Sequence, residues 1–118
     1  MDFSAEHRRY GDRTIVALGG DIDVSTSGRL RETLLGLVED GARHLVVEMD
    51  GVTFLDSTGL GVLVGVFHRL RALGGTLVFA GGTSRVRDVF HVTQLTKIFP
   101  MFPSVEEALR AEPTATGD

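Results

Sequence analysis

The sequence contains no cysteine and only one lysine, Lys97, among its 118 residues. Without cysteine the chain can form neither a disulfide framework nor a thiolate metal site. Twelve lysines and arginines are outnumbered by sixteen aspartates and glutamates, which gives a net charge of −4. A basic patch is the expected electrostatic footprint of a nucleic-acid-binding protein, so we expect no nucleic-acid partner.

Long apolar runs are also absent. No stretch approaches the ~20 apolar residues that a membrane span needs, and the opening residues, MDFSAEHRRYGD, lack the apolar core of a secretory signal. The chain is long enough to bury a core of its own, and 42% of its residues are hydrophobic, as in globular domains. We expect a cytoplasmic single domain over residues 1–111, no membrane association, and a disordered tail at 112–118.

The central stretch, residues 49–65, reads MDGVTFLDSTGLGVLVG. The apolar run before it predicts a strand at 44–49 that is buried on both faces, and the apolar residues from Leu60 onward predict a helix. Asp56 and Ser57 lie between the two, and either can cap the helix. A serine hydroxyl at the positive end of a helix dipole is in a place that favours phosphate.

Three glycines, Gly59, Gly61 and Gly65, lie in the first turns of this helix. Each lowers helix propensity by up to about 1 kcal/mol relative to alanine. Such a cost is tolerable where the backbone must lie close to a neighbour. We therefore expect all three glycines to pack tightly against a sheet.

The remaining pattern predicts a hairpin of strands at 3–10 and 14–19, a helix at 25–40, a strand at 76–80 and a short helix after it. A last strand at 98–99 and a final helix after the capping box at Ser104 complete the chain. This order, β-β-α-β-α-β-α-β-α, predicts an α/β fold with a mixed sheet of about five strands and about four helices.

An acidic segment, residues 19–23, connects the second predicted strand to the first helix. Asp23, Ser25 or Thr26 can cap that helix. Sites in α/β sheets lie at the carboxyl ends of strands. Asp21 and Asp23 follow one such end and Ser57 follows another, so we expect the two turns to be neighbours.

Enzyme motifs are not matched around Ser57. A serine hydrolase needs G-x-S-x-G, but Leu55 stands where the first glycine would be. An aspartic protease needs D-[ST]-G, but two residues separate Asp56 from Gly59. No phosphate-binding loop with a lysine is present. We expect no catalytic residue and no metal site.

Residues 55–61, LDSTGLG, resemble the phosphoacceptor motif of the STAS-domain anti-sigma factor antagonists of bacteria. The resemblance continues at residues 20–23, GDID, which match the early acidic turn of that family, and at the strand and short helix of residues 76–90. It implies a STAS-like fold over nearly the whole chain. It also implies that Ser57 is the phosphoacceptor, whereas Thr58 departs from the form of the motif that has two serines.

The resemblance further implies the partners. The unphosphorylated protein would bind an anti-sigma factor that is itself a serine kinase, and a sigma factor would be released. Phosphorylation would switch this binding off, and a serine phosphatase would restore it. ATP and Mg²⁺ would belong to the kinase, so this chain would need no cofactor, and it would be a monomer or a weak dimer. The candidate partner-binding residues are Asp21, Asp23, Asp56, Thr58, Gly59 and Gly61.

Two alternatives stay open. An aspartate-phosphorylated receiver domain would use Asp21, Asp23, Asp50 and Lys97, but the opening hairpin and the position of the acidic pair before the third predicted strand fit it poorly. A constitutive STAS scaffold, a subunit of a larger complex, is the second alternative. The hydroxyl of Ser57 counts against it.

Overall fold

A computed structural model describes residues 2–111, and the tail predicted at 112–118 lies outside them. Two sets of elements alternate after an opening hairpin. The strands are Ser4–Tyr10 (β1), Arg13–Ile22 (β2), His44–Leu55 (β3), Thr76–Ala80 (β4) and Met101–Phe102 (β5). The helices are Ser27–Glu39 (α1), Ser57–Ala72 (α2), Ser84–Val92 (α3) and Val105–Arg110 (α4), with a short 3₁₀ helix at Leu95–Lys97.

The sheet has the strand order β1-β2-β3-β4-β5. β1 pairs antiparallel with β2 around a two-residue turn, in which Gly11 has a φ of +63° that glycine adopts without strain. The other neighbouring pairs are parallel. The expected mixed sheet of five strands with four helices is therefore confirmed.

The core has two parts because the sheet is covered on two faces. The larger part joins one face of the sheet to α1, α2 and α3, and includes Val16, Val47 and Leu63. The smaller part lies on the other face, where Ile15 and Val46 pack with Ala108 of α4. No helix among the described residues combines the length and apolarity needed to cross a bilayer.

β2 and β3 both run further than the sequence pattern predicted, to Ile22 and Leu55 rather than to residues 19 and 49. The register between them shifts twice along this extension. The extension depends on glycine, because a Cβ at Gly51 would lie only 3.0 Å from the carbonyl oxygen of Leu18. The segment predicted as a connection at 19–23 is thus mostly strand, and it carries Asp21 within the sheet.

The last strand is not where the sequence pattern placed it. Ile98 and Phe99 follow the 3₁₀ helix, and β5 begins two residues later at Met101. Phe99 is fully buried, and its ring packs against Phe67 and Phe79 with centroids 5.5 and 5.0 Å away. The prediction was wrong because the apolar character of Phe99 serves an aromatic cluster rather than a β-ladder.

Candidate functional site

The start of α2 is capped by Asp56. Its backbone is extended, and its Oδ1 accepts hydrogen bonds from the backbone N–H groups of Thr58 at 2.9 Å and Gly59 at 3.3 Å. The hydroxyl of Thr58 donates to the same oxygen. Of the two capping residues that the sequence allowed, Asp56 therefore holds the cap.

Ser57 is the first residue of α2, and its side chain is exposed. Because Asp56 binds the first N–H groups of the helix, the hydroxyl of Ser57 is not required for capping. The site thus presents an accessible hydroxyl at the N-terminal end of a 16-residue helix.

The three glycines of α2 differ in their surroundings. Gly59 is buried, and a Cβ there would lie 2.5 Å from Cγ2 of Ile22 and 2.8 Å from Cδ1 of Leu55. Its close packing against the sheet is confirmed. Gly61 and Gly65 are exposed, and a Cβ at either would meet no atom within 4 Å. The expectation of tight packing is wrong for these two, which lie one and two turns beyond Ser57 on the same side of the helix.

The acidic segment and the start of α2 are neighbours, as predicted. Ile22 pairs with Leu55 at the end of the parallel ladder, and the backbone N–H of Asp56 donates to the carbonyl of Ile22 at 3.2 Å. Asp21 pairs with Phe54 in the same ladder. Thr53, on the adjacent stretch of β3, donates its hydroxyl to Oδ1 of Asp21 at 2.6 Å.

Asp23 and Thr26 organise the turn before α1. Oδ1 of Asp23 accepts from the backbone N–H and the hydroxyl of Ser25, at 2.9 and 2.6 Å. Thr26 occupies the N-cap position, but its side chain makes no cap hydrogen bond to α1 and donates instead to the carbonyl of Asp21 at 2.8 Å. The N-cap residue Thr26 therefore does not cap α1 with its side chain. The side chains of Asp23, Ser25 and Thr26 instead stabilise the turn between β2 and α1.

The two carboxylates of this segment are held in their charged forms. The hydrogen bond from the Thr53 hydroxyl lowers the pKa of Asp21 below its ordinary value. The hydroxyl and backbone N–H of Ser25 lower the pKa of Asp23 in the same way. At neutral pH both carboxylates are therefore ionised.

Sequence reasoning missed two apolar side chains at this end of the sheet. Phe54, opposite Asp21 in the ladder, is 47% exposed, and Val24, next to Asp23, is 77% exposed. The sequence pattern ended this strand at residue 49, so it gave no indication that Phe54 lies in the ladder beside Asp21. Large exposed apolar side chains beside polar groups are common at protein–protein contacts.

The aspartates that a receiver site would use do not lie together at one site. Asp50 accepts a hydrogen bond from the N–H of Gly82 at 2.8 Å, at the connection between β4 and α3, whereas Asp21 and Asp23 lie at the end of β2. Within residues 2–111, no three histidine, cysteine or acidic side chains are arranged to hold a metal ion.

A model of the STAS domain matches residues 4–108. The chain belongs to the STAS domain family. The receiver-domain alternative is thereby excluded, since the sequence and the sheet order agree on a different fold. Nearly all of the described chain, including Ser57 and the acidic segment, lies within the matched range.

Named relatives of this STAS domain are bacterial regulators. The chain is 40% identical over 98 residues to the anti-sigma-B factor antagonist of Bacillus subtilis, which covers 83% of this chain and 89% of that protein. It is 36% identical over 80 residues to the anti-sigma-B factor antagonist of Staphylococcus aureus, covering 68% of this chain and 74% of that one.

A solved structure shows the same fold. The anti-sigma factor antagonist from Mycobacterium paratuberculosis superposes with a TM-score of 0.85 at 26% identity, over 92% of each chain. The STAS domain described here is thus similar in sequence and in structure to anti-sigma factor antagonists.

Proposed function

We propose that this protein is an anti-sigma factor antagonist whose binding is switched by phosphorylation at Ser57. In its unphosphorylated form it binds an anti-sigma factor, which then releases a sigma factor. Two curated relatives, each at least 36% identical, are named anti-sigma-B factor antagonists. The observation that carries the switch is the exposed side chain of Ser57 on a helix that Asp56 caps.

The partner surface proposed here surrounds that serine. Asp21, Asp23 and Asp56 supply negative charge, Thr58 is exposed beside the serine, and Gly61 leaves the backbone of α2 accessible. Gly59 is buried, so it contributes by letting α2 lie against Ile22 and Leu55 rather than by direct contact. A partner group can approach the helix closely along the side that carries Ser57 and Gly61.

A phosphate on Ser57 would remain a surface charge. The N–H groups of Thr58 and Gly59, which could otherwise bind a phosphate, already donate to Asp56. A phosphoserine carries about −1.5 to −2 charges at neutral pH, beside carboxylates that are themselves charged. Phosphorylation therefore increases the negative charge of the partner surface, and the N–H groups of Thr58 and Gly59 are not free to compensate it.

The size of this effect is sufficient for a switch. Two like charges ~5 Å apart at an effective dielectric constant of ~20 repel by about 3 kcal/mol, an upper figure before screening by salt. A free-energy change of about 1.4 kcal/mol alters affinity tenfold. Half of one such repulsion against an acidic partner residue is therefore enough to release the partner, and steric blockage of the helix acts in the same direction.

The enzymes of the cycle would be the partners. The anti-sigma factor acts as the serine kinase, which supplies ATP and Mg²⁺, and a serine phosphatase restores the hydroxyl. In this proposal the STAS domain of residues 1–111 acts in the cytoplasm, needs no cofactor and performs no catalysis. Its contribution is an acceptor hydroxyl and the surface around it.

Mass spectrometry of the chain purified from its native cells tests the acceptor. We expect a phosphoryl group on the peptide that contains Ser57, lost in Ser57→Ala and retained in Thr58→Ala. An acid-labile phosphate on an aspartate, or a phosphate on Thr58 alone, would contradict the assignment. Absence of phosphate under every growth condition would favour the constitutive scaffold instead.

The mechanism has its own test in solution. We expect the amide NMR shifts of the phosphorylated and unphosphorylated forms to differ near residues 56–61 and to coincide across β4 and β5. Shifts spread over the whole sheet would show a global rearrangement and would contradict local repulsion and blockage. The same samples, titrated with the anti-sigma factor captured by the unphosphorylated form, give the ratio of the two affinities.

A further inference from the structure

The outer edge of the sheet is formed by β1. Among the described residues no strand pairs with its far side, and six of its seven residues are exposed, with Ala5 half-buried. An exposed edge strand can pair with a further strand, and proteins block this with proline, bulges, very short strands or charged side chains. β1 contains no proline and pairs with β2 in an unbroken register from Ser4 to Tyr10, and its charged residues, Glu6, Arg8 and Arg9, carry both signs.

The hairpin turn determines which backbone groups of β1 face outward. The turn has two residues, so Tyr10 and Arg13 form the closing hydrogen-bonded pair of the ladder. Hydrogen-bonded and non-hydrogen-bonded pairs alternate along an antiparallel ladder. Every second residue from Tyr10 therefore bonds to β2, and the residues between them, Ala5, His7 and Arg9, direct N–H and C=O groups towards the free edge.

We propose that β1 is a self-association edge, on which a second copy of this chain pairs through its own β1. The two strands run antiparallel about a two-fold axis at His7. In this register His7 faces His7 of the second copy, and Ala5 faces Arg9 of the second copy on both sides of the axis. These are the residues with outward-facing backbone groups, so each of the pairs can exchange two hydrogen bonds.

The side-chain charges select this register. With His7 on the axis, Glu6 lies opposite Arg8 of the second copy, and Arg8 lies opposite Glu6. These are non-hydrogen-bonded pairs, in which the side chains are closest. A register centred on Glu6 or on Arg8 would instead place like charges opposite each other, and one centred on Ala5 or Arg9 would leave part of the strand unpaired.

The ends of the strand fit the same arrangement. Tyr10, which is 64% exposed, faces Ser4 of the second copy and gains a neighbour for its ring. Ser4 pairs with Gly19, towards the end of β2 that lies next to the Ser57 turn, whereas Tyr10 lies at the opposite end. Because the two β1 strands run in opposite directions, the two Ser57 turns point away from each other and both remain accessible.

Sedimentation velocity of the full chain, over an about hundredfold range of concentration, tests the proposal by mass action. We expect wild-type protein to shift from monomer, 12.7 kDa, towards dimer as concentration rises. Glu6→Arg and Arg8→Glu each replace both attractive pairs by like-charge pairs. Each variant alone should raise the dimer dissociation constant about tenfold or more.

An equimolar mixture of the two variants is the decisive sample. The Glu6→Arg chain then offers two arginines opposite two carboxylates of the Arg8→Glu chain, so the mixture should associate at least as well as the wild type. Such recovery cannot come from misfolded variants. Glu32→Arg on α1 and Arg85→Glu on α3, both exposed, change charge equally and should leave dimerisation unaltered.

Three results would overturn the self-association edge. The first is a wild-type protein that stays monomeric over the whole concentration range. The second is a dimer dissociation constant that neither β1 variant changes, and the third is a mixture of the two variants that does not associate. Effects of equal size from the Glu32→Arg and Arg85→Glu controls would show a response to net charge alone, and would also overturn it.

Discussion

The backbone N–H of Asp56 donates to the carbonyl oxygen of Ile22 at 3.2 Å. This bond joins the first turn of α2 to the end of β2, next to Asp21 and Asp23. Since Ile22 also pairs with Leu55 in the ladder, the serine and the acidic segment are held side by side on one surface. A partner that contacts both needs no rearrangement of this surface to do so.

Substitutions at Ser57 should separate binding from switching. Ser57→Ala should bind the anti-sigma factor with the affinity of the unphosphorylated protein and should not respond to kinase. Ser57→Asp should bind more weakly, but by less than the phosphorylated form, because it carries one charge and fewer acceptor oxygens. Isothermal titration calorimetry against the same partner measures the three affinities.

Thr58 provides the control for that series. Thr58→Ala removes the neighbouring hydroxyl and leaves Ser57 in place. Phosphorylation of Ser57 by the kinase should therefore still abolish binding to the anti-sigma factor. Equal affinities for Ser57→Asp and Ser57→Ala would contradict the electrostatic account of the switch.

The glycines of α2 give a matched pair of stability variants. Gly59→Ala should destabilise the fold by about 1–3 kcal/mol, because the new methyl group overlaps the buried side chains of Ile22 and Leu55. Gly61→Ala meets open space and should stabilise the helix by up to about 1 kcal/mol. Urea unfolding at constant temperature measures both changes.

The substitution Gly61→Ala should have opposite effects on stability and on partner binding. If α2 is approached along its exposed side, Gly61→Ala should weaken binding of the anti-sigma factor although it raises the free energy of unfolding. A Gly61→Ala chain that is more stable and binds normally would remove Gly61 from the partner surface.

The pH dependence of stability should follow the carboxylates of the acidic segment. The folded pKa of Asp21 lies below its ordinary value of 3.8 because the Thr53 hydroxyl donates to it. Its stabilising contribution is therefore present above pH 3.8 and is lost as pH falls through the lowered folded value. In Thr53→Val the pKa of Asp21 should rise towards 3.8, as measured by NMR titration of the carboxyl group.

Asp23 serves as the internal reference in the same titration. Its pKa is lowered chiefly by Ser25, so Thr53→Val should leave it low and Ser25→Ala should raise it. A common shift of both carboxyls in either variant would show that a change in the whole loop, rather than one hydrogen bond, sets these values.

Leu63 should report on folding alone. Its side chain is fully buried within the larger core, so Leu63→Ala should cost about 2–5 kcal/mol of unfolding free energy. Exposed Glu32→Ala should stay within about 0.5 kcal/mol of the wild type. Under conditions where Leu63→Ala remains folded, Ser57 should be phosphorylated to the same extent as in the wild type. Reduced phosphorylation of the folded variant would show that packing around Leu63 affects the phosphorylation site.

The sequence predicted an element correctly where its local residue pattern agrees with its position in the fold. Residues 77–80 are apolar and lie with Thr76 between two glycine pairs, and the predicted strand has the observed bounds, Thr76–Ala80. The N-terminus of α2 was also predictable, because Asp56 caps the helix and apolar residues follow it. The neighbourhood of Asp21 and Ser57 followed from parallel strands that end at the same edge.

Other features depended on tertiary contacts that no local pattern records. The continuation of β2 through Gly19 and Gly20 requires the close approach of Gly51, and glycine otherwise indicates a turn. Phe99 has the apolar character of a strand residue but belongs to an aromatic cluster. The open space beside Gly61 and Gly65 could not be predicted, since a helical glycine shows a low propensity but not what lies next to it.

The capping role of Asp56 has a consequence for the conditions in which the switch works. Since its carboxylate occupies the N–H groups of Thr58 and Gly59, the phosphate would act through space and across solvent. Such forces are screened over a Debye length of ≈ 10 Å at 0.1 M ionic strength. The difference in affinity for the anti-sigma factor between the phosphorylated and unphosphorylated forms should thus decrease as the salt concentration rises. The ionic strength of the cell would therefore determine how strongly phosphorylation of Ser57 weakens binding.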